Sequence, residues 1–150
     1  MGLKLGAIGE MDLESCKKNK LVKEVKIDHP LIDSLLKTSE KKLKTQDMIV
    51  LNSTTSSSKI SLAYDSLREI LEALALSKGL KIYNHECYIS FLKEVLKESG
   101  YGDEFDNFRK IRNSINYYGK DIPADEAEII IQQMKLFIGK IKFLFKNWEK

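Results

Sequence analysis

The strongest constraint on the fold lies in the last stretch of the chain. After Pro123 and the acidic residues Asp125, Glu126 and Glu128, apolar positions recur as Ile129, Ile130, Met134, Phe137, Ile138, Ile141, Leu144 and Phe145. Intervals of three and four gather side chains on one side of an α-helix, whereas a strand needs alternation by two. A helix of this length buries such a stripe only against other elements with matching faces.

Those partners are visible upstream. Asp28 is a predicted N-cap with Pro30 in the first turn, and Leu31, Ile32, Leu35, Leu36 and Leu43 carry a helical stripe to about residue 48. The tract NSTTSSS at 52–58 reads as a hinge loop, after which Ser57 or Ser58 caps a helix running through Ile60, Ala63, Leu67, Ile70, Leu71 and Leu74 to Gly79. Asn84 offers a third cap, for a helix with Cys87, Tyr88, Phe91, Leu92, Val95 and Leu96 that stops at Ser99-Gly100. Asp103 caps a fourth helix ending near Gly119. No stretch reads as a convincing strand; Ile49-Val50-Leu51 is the nearest and too short to stand alone. The expected fold is all-α, a four- to five-helix bundle, mostly up-and-down and antiparallel. Its 150 residues suit one helical domain, with 1–27 as a basic N-terminal extension and 28–150 as the bundle.

Charge permits nucleic-acid binding without demanding it, because the net charge is only +3 with 31% charged residues. The local runs Lys17, Lys18, Lys20, Lys23, Lys26 and Lys135, Lys140, Lys142, Lys146, Lys150 read first as solvated surface. Cys16 and Cys87 are too few and too isolated for a disulfide framework or a zinc site, so a reducing, cytoplasmic setting is expected. The opening MGLKLGAIGEMDLE lacks the continuous apolar core of a signal peptide, and no apolar run reaches the roughly 18 residues of a membrane span. A soluble protein without membrane, metal or cofactor requirement is the expectation.

Several chemistries find no matching pattern. HExxH, GxxxxGK and GxGxxG are absent. On one helix His85 and Cys87 would lie about 200° apart, unable to act as a base–nucleophile pair, so His85 reads as a helix-start residue and Cys87 as core. Helix capping and dipole pairing account for Asp121, Asp125, Glu126 and Glu128 better than an ion site does. Most of the tyrosines at 83, 88, 101, 117 and 118 suit the core boundary or an interface; Tyr117 keeps a base-stacking role open.

The stretch FRKIRNSINYYG at 108–119 carries more. On a helix, Phe105, Phe108, Ile111, Ile115 and Tyr118 share one side, while Arg109, Arg112, Asn113 and Asn116 share another. The first face can pack; the second can bind phosphate, because a guanidinium offers two parallel hydrogen bonds to its oxygens.

With the RN helix, the helical pair and the intervening AYDSLREILEALALSKGLKIYNHECYISFL, the chain resembles the HEPN family over roughly residues 30–148. The resemblance implies a four- to five-helix domain, homodimerisation that brings two motifs together, and often a metal-independent ribonuclease toxin encoded beside a nucleotidyltransferase antitoxin. Arg112 and Asn113 match the start of the family motif. Its histidine would fall on Tyr117 or Tyr118, and no histidine follows His85. Tyrosine, with an ordinary pKa near 10, is a poor general base at neutral pH.

Three expectations follow from these residues. The leading one is an RNA- or nucleotide-binding homodimer, working with a nucleotidyltransferase partner, with ribonuclease activity weakened or lost; Arg109, Arg112 and Asn116 would hold phosphate. The second is an active ribonuclease toxin built on Arg112, Asn113 and Tyr117, or on a group such as His85 from the other subunit. The third is a protein-docking module with no nucleic-acid role.

Overall fold

The computed structural model describes residues 11–148. Residues 1–10, on which the reading of the opening stretch rests, and the side chains of Lys146 and Lys150 lie outside the described residues. In chain order the elements are α1 (Leu13–Lys18), β1 (Val22–Glu24), α2 (His29–Met48), α3 (Ser56–Ser77), β2 (Leu80–Ile82), α4 (Cys87–Ser90), a π-helical turn (Phe91–Val95), α5 (Ser99–Tyr118) and α6 (Ala124–Trp148). The protein is thus mostly helical, with one two-stranded sheet among the described residues.

Helix α3 is the spine. Ile60, Ala63, Tyr64, Leu67, Leu71 and Leu74 are fully buried, and α2 and α6 make its most extensive contacts. Asp28 caps α2 as predicted, its Oδ1 accepting the Leu31 N–H at 3.1 Å. Paired serines allow α2 and α3 to approach closely. The Ser39 hydroxyl donates to the Ser66 carbonyl and the Ser66 hydroxyl to the Ser39 carbonyl, each at 2.8 Å. Lys59 donates to the carbonyls of Gln46 and Ile49, covering the exposed dipole end of α2 with a cation. Contacts that join 46 to 59 and 39 to 66 run in opposite sequence directions, so α2 and α3 are antiparallel.

The structure corrects several predicted boundaries. α3 starts at Ser56 rather than after a Ser57 or Ser58 cap. The predicted third helix shortens to α4 and its π-turn, because Lys97 turns left-handed at φ 60° and Glu98 N–H returns to the Leu92 carbonyl at 2.8 Å. Ser99-Gly100 therefore opens α5 instead of closing α4, and Asp103 lies inside α5, where it meets Lys93 at 2.8 Å. Gly102 makes this close approach feasible: a Cβ there would stand 2.7 Å from Lys93 Cγ. Gly119, left-handed at φ 63°, ends α5 near the expected place. Along α6 the predicted stripe holds except at Ile129, which is 60% exposed, while Ala127 and Ile131 are buried.

Strand β1 pairs antiparallel with β2 in the register Val22↔Ile82, Lys23↔Lys81, Glu24↔Leu80. Each strand has three residues, too few to display alternation in sequence, so neither was expected. The stretch read as a basic extension contributes Cys16 and Val22 to the core. The expectation of unpaired cysteines is also overturned: Cys16 and Cys87 form a disulfide across a sequence separation of 71. The docking of α1 against α4 brings them together, a contact that sequence spacing cannot reveal.

Candidate phosphate-binding site

The site forms where the loop between β2 and α4 faces the second half of α5. That loop is tightly held: Asn84 Oδ1 accepts the Glu86 N–H at 2.7 Å and the Asn84 carbonyl accepts the Cys87 N–H at 2.9 Å. Such Asx turns suit asparagine, whose side chain satisfies the backbone two residues on. With Cys87 anchored by its disulfide, the turn displays His85 toward α5.

Across from it, Phe105 and Phe108 sink the first half of α5 into the core. From there to its end the same helix presents Arg109, Arg112, Asn113 and Tyr117. Together with Tyr83, Asn84, His85 and Glu86 they line an open pocket of about 420 Å³. Of the predicted site residues, Arg109, Arg112, Asn113 and Tyr117 thus come together, whereas Asn116 is exposed and does not line the pocket. Tyr118, predicted on the apolar face, is 84% exposed because α5 ends there beyond the core.

An aromatic floor supports the basic groups. Tyr64 of α3 stacks on Phe105 with centroids 5.9 Å apart, and the Arg112 guanidinium carbon sits 5.5 Å from the Tyr64 ring centroid. This cation–π contact holds Arg112 in place without neutralising it. No ion pair involves Arg112 among the described residues, while Arg109 donates twice to Asp106 Oδ1, at 2.8 and 3.2 Å. Burial raises the Asp106 carboxyl, but the hydrogen bonds from Arg109 and Lys110 outweigh it and hold its pKa below the ordinary value.

His85 Nδ1 lies 3.0 Å from the Tyr64 hydroxyl. Burial, followed by the nearby positive charges of Arg68, Arg112 and Arg109, lowers the His85 pKa to about 4. The imidazole is therefore neutral at pH 7, with Nδ1 engaged by Tyr64 and Nε2 as its remaining polar atom. Burial also pushes the Tyr64 phenol well above its usual range, so it keeps its proton. The expected helix-start histidine is instead a loop histidine in the same pocket as the RN pair, supplied by the same subunit. The sequence signal was the polar run YNHE between two apolar elements, which helical periodicity had absorbed into a helix start.

Behind the floor the charges of a second cluster are paired with one another. Arg68 meets Glu72 at 2.8 Å, Lys81 meets Glu72 at 2.8 Å, and Lys42 meets Glu69 at 2.6 Å. Among the described residues no group of histidine, cysteine and carboxylate side chains is arranged to hold a metal ion. No helix there is long and apolar enough to cross a membrane. No family model matches the chain, and no curated protein matches it.

Proposed function

We propose that the pocket binds a phosphate ester of RNA or of a nucleotide. The carrying observation is Arg112, held over Tyr64 without a carboxylate partner among the described residues, beside Asn113 and opposite His85 in an open polar pocket. A phosphate there would accept charge-assisted hydrogen bonds from Arg112 and Arg109 and a further bond from the Asn113 amide. Glu86, on the same rim, offers an acceptor for ribose hydroxyls, which favours a nucleotide over a bare anion.

Cleavage is the weaker function on this reading. Attack by a ribose 2′-hydroxyl forms the oxygen–phosphorus bond as the bond to the 5′-oxygen breaks; the hydroxyl proton must pass to a base and the departing oxygen must take a proton from an acid. With a pKa of about 4, only about one His85 in a thousand carries a spare proton at pH 7. A bound phosphate opposes this by favouring the imidazolium, so a slow metal-independent ribonuclease is the second reading, favoured by His85 standing in the pocket.

The resemblance to HEPN domains extends the proposal to an up-and-down bundle that dimerises and works beside a nucleotidyltransferase. Ile129 and Leu136, 60% and 68% exposed on α6, supply apolar surface for such a contact. The deciding experiment titrates 5′-UMP into the full chain and incubates mixed RNA with it in EDTA, using Arg112→Ala in both. Binding lost in the variant supports the pocket, and Arg112-dependent cleavage promotes the second reading. Binding that Arg112→Ala leaves unchanged overturns the proposal.

A further inference from the structure

The outer face of the small sheet adjoins the pocket and has features that sheet stability does not explain. Strand alternation sends Val22, Leu80 and Ile82 into the core and leaves Lys23 and Lys81 on the other side. These two lysines are direct partners in the antiparallel register, an arrangement of like charges that weakens a strand pair. Lys81 is answered by Glu72 at 2.8 Å. Lys23 has no ion pair among the described residues.

Tyr83 follows β2 on the same face as Lys81 and is 56% exposed. Lys23 Nζ stands 5.7 Å and Lys81 Nζ 5.9 Å from its ring centroid. Tyr83 also lines the pocket with Arg109 and Arg112, so one residue adjoins both that basic place and the Lys23/Lys81 pair. An exposed aromatic with cations near it on more than one element offers the two kinds of contact a single nucleic-acid strand uses, rings on which bases stack and cations that meet phosphates.

We propose that the sheet face extends the pocket into a track for single-stranded RNA. One phosphate sits at Arg109 and Arg112, an adjoining base stacks on Tyr83, and the next phosphate pairs with Lys23. This rests on the phosphate-binding reading of the pocket and adds to it the ligand class: a strand of several nucleotides rather than a mononucleotide. It also gives the basic stretch from Lys17 to Lys26 a role, because folding places its middle beside the site. An RNA phosphate at Lys23 would relieve the repulsion across the Lys23↔Lys81 pair.

The test compares 5′-UMP with oligouridylates of two, four and six nucleotides, by calorimetric titration of the full chain at several salt concentrations. The wild-type affinity is expected to rise about tenfold or more from UMP to the tetramer. Lys23→Glu, on an exposed strand position, should keep UMP affinity and lose about fivefold or more on the tetramer. Lys23→Gln should lower the logarithmic salt slope by about 0.7, the loss of one single-strand phosphate contact. Tyr83→Ala should lose about fivefold or more on the tetramer, and Tyr83→Phe should retain it, since stacking needs the ring and not the hydroxyl.

UMP binding with no gain on lengthening, or tetramer binding indifferent to Lys23→Glu, overturns the track and leaves the pocket standing. Absence of UMP and oligonucleotide binding, or binding indifferent to Arg112→Ala, overturns the pocket reading and the track with it.

Discussion

Arg68 and Arg112 sit on different helices around the same group of aromatic rings, yet they meet opposite company. Arg68 lies against Glu72 and within 4.0 Å of Glu69, in a cluster that Lys42 and Lys81 complete. Arg112 has an aromatic face and a neutral histidine across the pocket. Removing one partner of a buried ion pair leaves the other uncompensated, so the first arrangement ties its members to one another, whereas the second leaves Arg112 with no carboxylate partner among the described residues, the feature on which the phosphate proposal rests. What distinguishes Arg112 from Arg68 is that no carboxylate pairs with it among the described residues.

Cys87 stands between the two places: His85 precedes it in the pocket, and Tyr88 follows it beside Arg68. Removing the Cys16–Cys87 bond tests how far both depend on one support. The bond closes a loop with a sequence separation of 71, for which the chain-entropy relation gives about 4 kcal/mol. The Cys16→Ser, Cys87→Ser double variant should lose about that much in urea denaturation, and wild-type protein with dithiothreitol should match it. A loss under about 1 kcal/mol would show that the non-covalent packing of α1 suffices.

Breaking the paired cluster comes next. Glu72→Ala removes the ion-pair partner of Lys81 and leaves Arg68 only Glu69 at 4.0 Å, and its expected cost is about 3 kcal/mol, read as a lower urea midpoint with an unchanged slope. Burial alone would raise the Glu72 pKa, but the hydrogen bonds from Lys81 and Arg68 prevail and hold it below 4.5. A carboxyl depressed by folding adds stability above its unfolded pKa, and that stability is lost as pH falls through the folded value. Wild-type protein should therefore weaken below about pH 4.5 more steeply than Glu72→Ala.

Arg112→Ala should behave in the opposite manner. Removing the cation–π contact costs about 1 kcal/mol or less of stability, while losing a charged hydrogen-bond donor to phosphate should reduce UMP affinity about tenfold or more. If Arg112→Ala destabilised the fold as much as Glu72→Ala, the contrast between the two arginines would collapse.

The long helices were legible because their signals are local. Asp28 caps α2, Gly79 and Gly119 turn left-handed after helix ends, and the stripe from Ile130 to Ile141 is buried. The grouping of Arg109, Arg112 and Asn113 followed from the same periodicity. What escaped was made by contacts distant in sequence: the Val22↔Ile82 pairing, the Cys16–Cys87 bond and the approach of His85 to α5. By sequence Asn84 suits a helix N-cap, whereas it accepts the Glu86 N–H in a turn and the helix opens at Cys87. Periodicity has no means of showing which loop closes over a helix face.

The neutral state of His85 gives a finer test of the site. A histidine whose folded pKa is lowered favours folding above its unfolded value near 6.5, and this contribution fades as pH falls toward about 4. His85→Asn should flatten that part of the stability curve. Saturating UMP should raise the His85 pKa by about one unit, followed by NMR titration of its ring protons, because a phosphate charge offsets the neighbouring arginines.

The smallest effect belongs to Tyr117, one of the two tyrosines, with Tyr118, on which the motif histidine implied by the HEPN resemblance would fall. It lines the pocket but is 71% exposed, so its ring and hydroxyl remain largely in water. A hydroxyl so hydrated gives up little when removed, because water replaces whatever hydrogen bond it made. Tyr117→Phe should therefore change UMP affinity, and any Arg112-dependent cleavage, by less than about twofold, whereas His85→Ala should abolish that cleavage. A larger loss in Tyr117→Phe would move the proton chemistry from the loop back to α5. It would make the Tyr117 hydroxyl, and not the His85 imidazole, the group that works opposite Arg112.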